Sequence, residues 1–153
     1  MIRTVVRDFF DDYASLLDAK EFDSWLGLFE TDATYEVRSR ENLEGGLTLA
    51  TIRADSKSML ADRVTALVET QFFAPRTMRH LVSGVRVMSE NGHAVDARAS
   101  FLVAESLGGE LTRVHTSGEY RTMLARGDDG LRVRHMSAIY DGSVIDTSLI
   151  YPL

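Results

Sequence analysis

The second half of the chain consists of long β-forming segments separated by short turn signals, and this pattern restricts the fold most. From Thr77 onward, the segments are divided by glycine-containing turns at residues 91–92, 108–109 and 127–130. Short turns of this kind join antiparallel neighbours, so the pattern predicts a four-stranded antiparallel meander. A sheet of this length must cover one face with other elements, which indicates a layered architecture.

The turns also predict how the strands pair. If residues 91–92 and 108–109 are two-residue turns, the facing pairs are Glu90 with His93, Asp96 with Arg121, and Arg98 with Glu119. The last two are opposite-charge pairs on one face. The other face then collects Val82, Val95, Ala97, Ala99, Phe101, Val103, Val114 and Tyr120.

The first half is predicted to supply the helices that cover this apolar face. Apolar residues recur at helical spacing over residues 3–19 and 56–72, and a shorter set over 22–29 predicts a small helix. Residues 34–39 alternate as a strand, 42–46 form a loop, and 47–52 are extended. We therefore expect one α+β domain over residues 1–153, with N-terminal helices packed on a long, curved antiparallel sheet.

Composition excludes several classes of function. The 153 residues include no cysteine, which removes disulfides, thiol nucleophiles and iron–sulfur ligation from this chain. A net charge of −6 argues against nucleic acid or an anionic membrane as partner, because binding to phosphates needs clustered cations. No apolar stretch reaches the roughly 18 residues of a membrane span or resembles a signal segment, so we expect a cytoplasmic location.

The histidines are the candidate acid–base residues. The predicted register places His80 opposite Val103 on the apolar face, and His135 joins it if Arg126 pairs with Leu131. His115 is expected on the charged face, and His93 begins a strand. The spacings of 13, 22 and 20 residues between consecutive histidines match no metal-binding motif.

Two interpretations of these residues remain open. His80, His135 and Tyr120 can serve a small ligand as acid–base groups, with Tyr35, Asp18 or Asp23 nearby. In the other interpretation, His80 is a buried structural residue hydrogen-bonded to backbone or to a carboxylate, as buried polar groups normally are.

Two surfaces are candidates for contacts with other chains. Fifteen of the 17 cations are arginine, which favours desolvated interface pairing, although a GC-rich genome gives the same bias. On the outer sheet face the candidates are Arg98, Arg121, Arg132 and Arg134. The apolar C-terminal residues Ile150, Tyr151 and Leu153 should dock on their own sheet or on a neighbour.

An ordered set of segments resembles the small (β) subunits of Rieske-type aromatic-ring-hydroxylating oxygenases. The segments lie at residues 40–47, 54–64, 79–80, 117–120, 140–143 and 150–153. Together they extend over nearly the whole chain. The likeness is greatest to subunits of enzymes that act on aromatic acids, the terephthalate, salicylate and anthranilate group.

The resemblance implies a nuclear-transport-factor-two-like cone that assembles with a larger α subunit, three of each. The α subunit would carry the Rieske [2Fe–2S] cluster, the mononuclear Fe(II) and the substrate pocket, and a reductase would supply its electrons. No cofactor or catalytic residue is then expected in this chain, which is largely structural. The alternative is a free-standing cone-fold dehydratase or isomerase that uses His80 with an acidic partner.

Overall fold

The computed structural model describes residues 1–69, 75–142 and 152–153. Its elements, in chain order, are α1 (Ile2–Asp18), α2 (Phe22–Leu26), β1 (Phe29–Ser39), α3 (Arg40–Glu44), β2 (Ile52–Ala54), α4 (Lys57–Glu69), β3 (Arg76–Glu90), β4 (Ala94–Leu107), β5 (Arg113–Gly127) and β6 (Gly130–Tyr140). Among these elements, no helix combines the length and the apolar character that crossing a membrane requires.

The helices form where apolar spacing predicts them. Helices α1 and α4 confirm the predictions at residues 3–19 and 56–72, although 70–72 lie outside the described residues. The buried face of α1 follows the helical repeat of Val6, Phe9, Phe10, Tyr13, Ala14 and Leu17. The predicted loop at 42–46 is partly wrong, because residues 40–44 form the short helix α3. The side chain of Ser39 caps it by accepting a hydrogen bond from the Asn42 backbone N–H at 3.1 Å.

The sheet is mixed and has six strands, in the order β2-β1-β6-β5-β4-β3. Strands β3 to β6 form the predicted antiparallel meander. The expectation of a wholly antiparallel sheet is wrong, because β1 pairs in parallel with β6, with Val37 beside Ala138. Strand β2 then extends the sheet antiparallel to β1. The β1–β6 pairing joins residues about one hundred positions apart, which no local pattern signals.

The pairing of β3 with β4 matches the prediction away from the turn. His80 faces Val103 as expected, but Glu90 faces Val95 instead of His93. The turn is longer than two residues, because the Asn91 side chain accepts hydrogen bonds from the backbone N–H groups of both His93 and Ala94, each at 2.9 Å. Two bulges in β3 then restore the expected register.

The predicted pairing of β4 with β5 is displaced by two residues. Arg98 faces Arg121 instead of Glu119, and Asp96 faces Met123 instead of Arg121. Residues 108–112 separate the two strands, so the turn is longer than the two residues assumed. Because side chains alternate with a period of two, this displacement changes partners but keeps each residue of β4 on its predicted face.

The core lies between the inner face of the sheet and the helices. Helix α1 packs against β3, and α4 packs against β1. The inner residues of β4, at positions 95, 97, 99, 101 and 103, are all buried as predicted, and so is Tyr120. Val114 is 62% exposed, against the prediction, because a bulge in β5 reverses the alternation at this point. The architecture is the expected α+β arrangement of N-terminal helices on a long sheet.

Candidate functional site

His80 is held by a carboxylate from the opposite layer. Asp18, the last residue of α1, accepts hydrogen bonds through Oδ1 from the His80 backbone N–H at 2.9 Å and from ring Nδ1 at 2.7 Å. The bond to a carboxylate places the imidazole proton on Nδ1. Ring Nε2 is buried and has no hydrogen-bond partner among the described residues, and the His80 side chain is only 1% exposed. The pair therefore joins α1 to β3 inside the fold.

Tyr120 lies deeper in the same core but does not join this pair. Its ring stacks on Phe10, with centroids 5.7 Å apart, and it packs on Phe101 at 4.5 Å. Its hydroxyl is buried and, within the part of the chain that the structure describes, has no hydrogen-bond partner, so it is not bonded to His80. Burial raises the pKa of Tyr120 well above its usual value, which keeps the phenol neutral.

His135 lies on the outer face of the sheet, so its predicted position on the apolar face is wrong. Arg126 does pair with Leu131 as the prediction required, but a bulge in β6 follows, between Val133 and His135. The ring Nδ1 of His135 lies 2.6 Å from the Thr34 hydroxyl. The structure thus separates His135 from the inward-facing His80 and Tyr120, and the three residues do not form one site.

A buried charged group that the sequence patterns did not predict lies at the end of β4. Glu105 has no exposed side-chain surface, and its Oε1 pairs with Arg76 at 3.0 Å. Its Oε2 lies 3.9 Å from His115 Nε2 and from Arg113. Glu105 continues the odd-numbered inner positions of β4, so its alternation alone could have identified it as buried.

His115 faces inward beside Glu105, and its predicted place on the charged face is wrong. It is the extra residue of the β5 bulge, between Val114 and Thr116, and its side chain is 3% exposed. Burial lowers the pKa of His115, and this effect outweighs the opposing attraction of Glu105. His115 is therefore mainly neutral near pH 7. His93, in contrast, is exposed at the β3–β4 turn.

Leu153 is held inside the core by two tyrosines. Its carbonyl oxygen accepts hydrogen bonds from the hydroxyls of Tyr13 at 2.7 Å and Tyr35 at 3.0 Å, and its backbone N–H donates to the Tyr35 oxygen at 3.0 Å. Leu153 therefore docks on its own chain, one of the two positions expected for it. Ile150 and Tyr151 lie outside the described residues.

The outer-face arginines differ in their partners. Arg121 pairs with Glu119 at 2.6 Å, and Arg134 pairs with Glu30 at 3.0 Å. Arg132 donates to the Gly27 carbonyl at 2.8 Å and approaches Asp129 at 3.9 Å. Within the described ranges, no acidic side chain pairs with Arg98, which faces Arg121 across the β4–β5 ladder. Three of the four candidate interface arginines thus have partners in their own chain.

The space around these groups limits the chemistry that they can perform. An open cleft of about 510 Å³ lies between α1 and β3, where Asp11, Ser15 and Arg79 line it beside the Asp18–His80 pair. The space between α4, Tyr35 and Pro152 is nearly filled, with about 10 Å³ left. Among residues 1–69, 75–142 and 152–153, no group of three or more potential metal ligands comes together.

Comparisons with known proteins identify the family. A family model described as the ring hydroxylating beta subunit matches residues 13–147. The chain is 29% identical to the anthranilate 1,2-dioxygenase small subunit of Burkholderia cepacia, over 92% of this chain and 88% of the relative. It is 30% identical to a terephthalate 1,2-dioxygenase terminal oxygenase component subunit beta from a Comamonas species, over 92% of each chain.

The fold agrees with a crystal structure from the same family. That structure is described as the beta subunit of an aromatic-ring-hydroxylating dioxygenase from Novosphingobium aromaticivorans DSM 12444. It superposes with a TM-score of 0.89 at 32% identity, over 99% of this chain and 97% of the other. With the match over residues 13–147, this likeness shows that the chain belongs to the beta-subunit family of aromatic-ring-hydroxylating dioxygenases.

Proposed function

We propose that this chain is the structural small subunit of an oxygenase that hydroxylates an aromatic carboxylic acid. The family match over residues 13–147 carries the proposal. The names of the two curated relatives, which act on anthranilate and terephthalate, support the substrate class. The filled core agrees with a scaffolding role, because aromatic side chains and Leu153 occupy the interior of the sheet and leave little room for a substrate.

The chemistry in this proposal takes place on a larger α subunit. A Rieske [2Fe–2S] cluster is held by cysteine and histidine, and this chain has no cysteine to supply the thiolates. The described residues also offer no cluster suited to a mononuclear iron. We therefore place both centres and the substrate pocket on the α subunit, which receives electrons from a reductase, and we derive no reaction step in this chain.

The proposed assembly contains three α and three β subunits. A permanent complex of this kind typically buries more than about 2,000 Å² per interface and is rich in arginine and aromatic residues. The surfaces proposed to make these contacts are the outer-face arginines Arg98, Arg121, Arg132 and Arg134, and the C-terminal residues Ile150 and Tyr151. Among the arginines, Arg98 is the strongest candidate because the described residues give it no acidic partner.

Co-expression with the Rieske α subunit from the same operon tests the proposal. We expect a complex of hexameric size, with iron and Rieske absorption that depend on the α subunit. The loaded complex should turn over anthranilate or terephthalate but not the uncharged aromatic naphthalene. The structural role would be ruled out if this chain elutes as a monomer and the α subunit is stable and fully active without it. Turnover of naphthalene alone would refute only the substrate class.

The Asp18–His80 pair favours a second candidate function, a cone-fold dehydratase or isomerase. Its test is whether the isolated chain converts hydroxylated or keto substrates of small aromatic size. His80→Gln and Asp18→Asn should abolish that turnover under this alternative, provided that circular dichroism shows both variants folded. Because ring Nε2 is buried, we expect no turnover by the unmodified chain.

A further inference from the structure

Three arginines lie side by side across the outer face of the sheet. Arg86 of β3 faces Arg98 of β4, and Arg98 faces Arg121 of β5. Directly opposite residues of neighbouring strands lie about 5 Å apart, so these three positions form one row about 10 Å long, called here the arginine row. Like charges placed directly opposite each other destabilise a sheet. The stability of this chain therefore does not account for the row.

The charge of the arginine row is only partly neutralised by its own chain. Glu119 accepts a hydrogen bond from Arg121 Nε at 2.6 Å. Within the described part of the chain, no carboxylate forms an ion pair with Arg86 or Arg98, although Asp96 lies two residues before Arg98 on the same face of β4. The row thus presents two unpaired positive charges on a chain whose net charge is −6.

A shallow cleft of about 220 Å³ lies beside the unpaired end of the row. Arg86 and Arg98 line it together with Met88, Ser100 and Glu119, and a bulge in β3 forms one wall. Met88 is half exposed, and arginine and methionine are both enriched in protein interfaces. The cleft is smaller than the roughly 300–1,000 Å³ of a ligand pocket, so it fits the side chains of a partner protein better than a free ligand.

We propose that the arginine row is the docking surface for an acidic segment of the α subunit. This inference rests on the structural role proposed above, which makes the α subunit the partner. Residues three or four positions apart on a helix lie about 5–6 Å apart, so carboxylates on one helix face match the spacing of the row. A guanidinium group binds a carboxylate through two parallel hydrogen bonds, so Arg86 and Arg98 can each bind one. Docking also relieves the repulsion within the row.

The repulsion predicts opposite effects of one substitution on stability and on assembly. Arg98→Glu places a carboxylate between two arginines, so the urea midpoint of the isolated full chain should rise, and less so in 1 M NaCl. The same substitution removes a docking arginine and repels an acidic partner. Arg53→Glu is the matched control: Arg53 is exposed and pairs with Asp55, so its loss should not raise the midpoint. A residue that only supports the fold would lose stability and assembly together.

Sedimentation velocity of the co-expressed α–β complex over a dilution series measures the effect on assembly. The Arg98→Glu complex should dissociate at a concentration at least about tenfold higher than the unmodified complex, since a lost charged hydrogen bond weakens binding by that factor or more. Arg86→Gln should act in the same direction. The Arg53→Glu complex should dissociate at the same concentration as the unmodified one.

Photo-crosslinking in the complex identifies the occupant of the cleft. A benzoylphenylalanine replaces Ser100, which is exposed and lines the cleft, and mass spectrometry identifies the peptide that it captures. We expect a peptide of the α subunit that carries at least two acidic residues three or four positions apart. The control places the same group at Ser58, which is exposed on helix α4, and should not capture that peptide.

The possible failures are distinguishable. If the unmodified chain forms no complex with the α subunit, the proposed function and this inference fail together. If the complex forms but Arg98→Glu leaves its dissociation unchanged, or lowers the urea midpoint of the isolated chain, only the docking surface is refuted. Capture of a second copy of this chain, of a peptide without acidic residues, or of nothing at position 100 would also overturn the inference.

Discussion

Loss of the Asp18 carboxylate should destabilise the fold by about 2–4 kcal/mol. Asp18 accepts two hydrogen bonds from His80, and bonds to a charged group contribute about 1.5–3 kcal/mol each. The full sum is not expected, because the Asp18 side chain is 14% exposed and water can replace part of the carboxylate. The His80 side chain is 1% exposed, so its Nδ1–H loses its partner in a dry environment. Such a loss is a large fraction of the 5–15 kcal/mol typical of a domain.

Urea unfolding, followed by the fluorescence of the single tryptophan, Trp25, measures this effect. Asp11→Ala is the matched control, because Asp11 is exposed on the same helix, and it should change the free energy of unfolding by no more than about 0.5 kcal/mol. Asp18→Asn keeps an oxygen acceptor and should cost less than Asp18→Ala. In a double-mutant cycle with His80→Ala, the two losses should be coupled by at least about 1 kcal/mol.

A structural role for His80 also predicts the activity of these variants. If the pair only joins α1 to β3, folded Asp18→Asn should keep the activity of the assembled oxygenase while it loses stability. Unfolding of Asp18→Ala at the same urea concentration as the unmodified chain would contradict the expected destabilisation, and so would additive losses in the cycle with His80→Ala. A stable Asp18→Asn complex without turnover would instead favour a chemical role.

Three further perturbations test other parts of the structure. Gly118→Ala should lower the free energy of unfolding by about 1–3 kcal/mol in urea melts, because the added Cβ would lie 2.8 Å from the Phe101 ring and closer still to a backbone carbonyl of β6. Gly92→Ala is the control and should be near neutral, since a Cβ at Gly92 would meet no described atom within 4 Å. Burial lowers the pKa of His115 in the folded chain, so the unfolded chain binds the proton more tightly. The free energy of unfolding should therefore fall as the pH drops below about 6.5. His115→Asn should reduce that fall, measured as urea midpoints across pH. Arg98→Glu should weaken the α–β complex, measured by size-exclusion chromatography. Arg53→Glu is the control and should leave the complex intact, because Arg53 is exposed and already pairs with Asp55. Equal elution of the two variants would show that Arg98 is not part of the interface.

The faces of the sheet could be predicted from the sequence because side-chain alternation is a local property. Ala97, Ala99 and Phe101 are buried as their alternation indicates, even though the pairing of their strand is displaced by two residues. Partner identity depends on turn length, and a Gly-Gly pair does not reveal that three more residues belong to the turn. The parallel pairing of β1 with β6 is not local at all, so no periodicity indicates it.

The errors at the candidate site share one physical cause. His115 is the extra residue of the β5 bulge and His135 lies directly after the β6 bulge, and each bulge reverses the side-chain alternation that the prediction assumed. His80 lies in a part of β3 where the predicted register holds, and its acidic partner, Asp18, was among the candidates. The hydrogen bonds of Tyr13 and Tyr35 to Leu153 join residues from three distant parts of the chain, so only the tertiary structure brings them together.

The two edges of the sheet indicate where contacts with other chains can form. The edge strand β2 has only three residues, which is too short to template a long pairing. At the other edge, two bulges interrupt β3, and one of them includes Gly84, whose φ is +64°. Strand β3 also exposes Arg79 and Arg86. Short, bulged and charged edges resist pairing with a further strand. Assembly by extension of the sheet is therefore disfavoured, and the contacts proposed for this subunit are expected on the faces of the sheet, where Arg98 and Arg121 lie side by side.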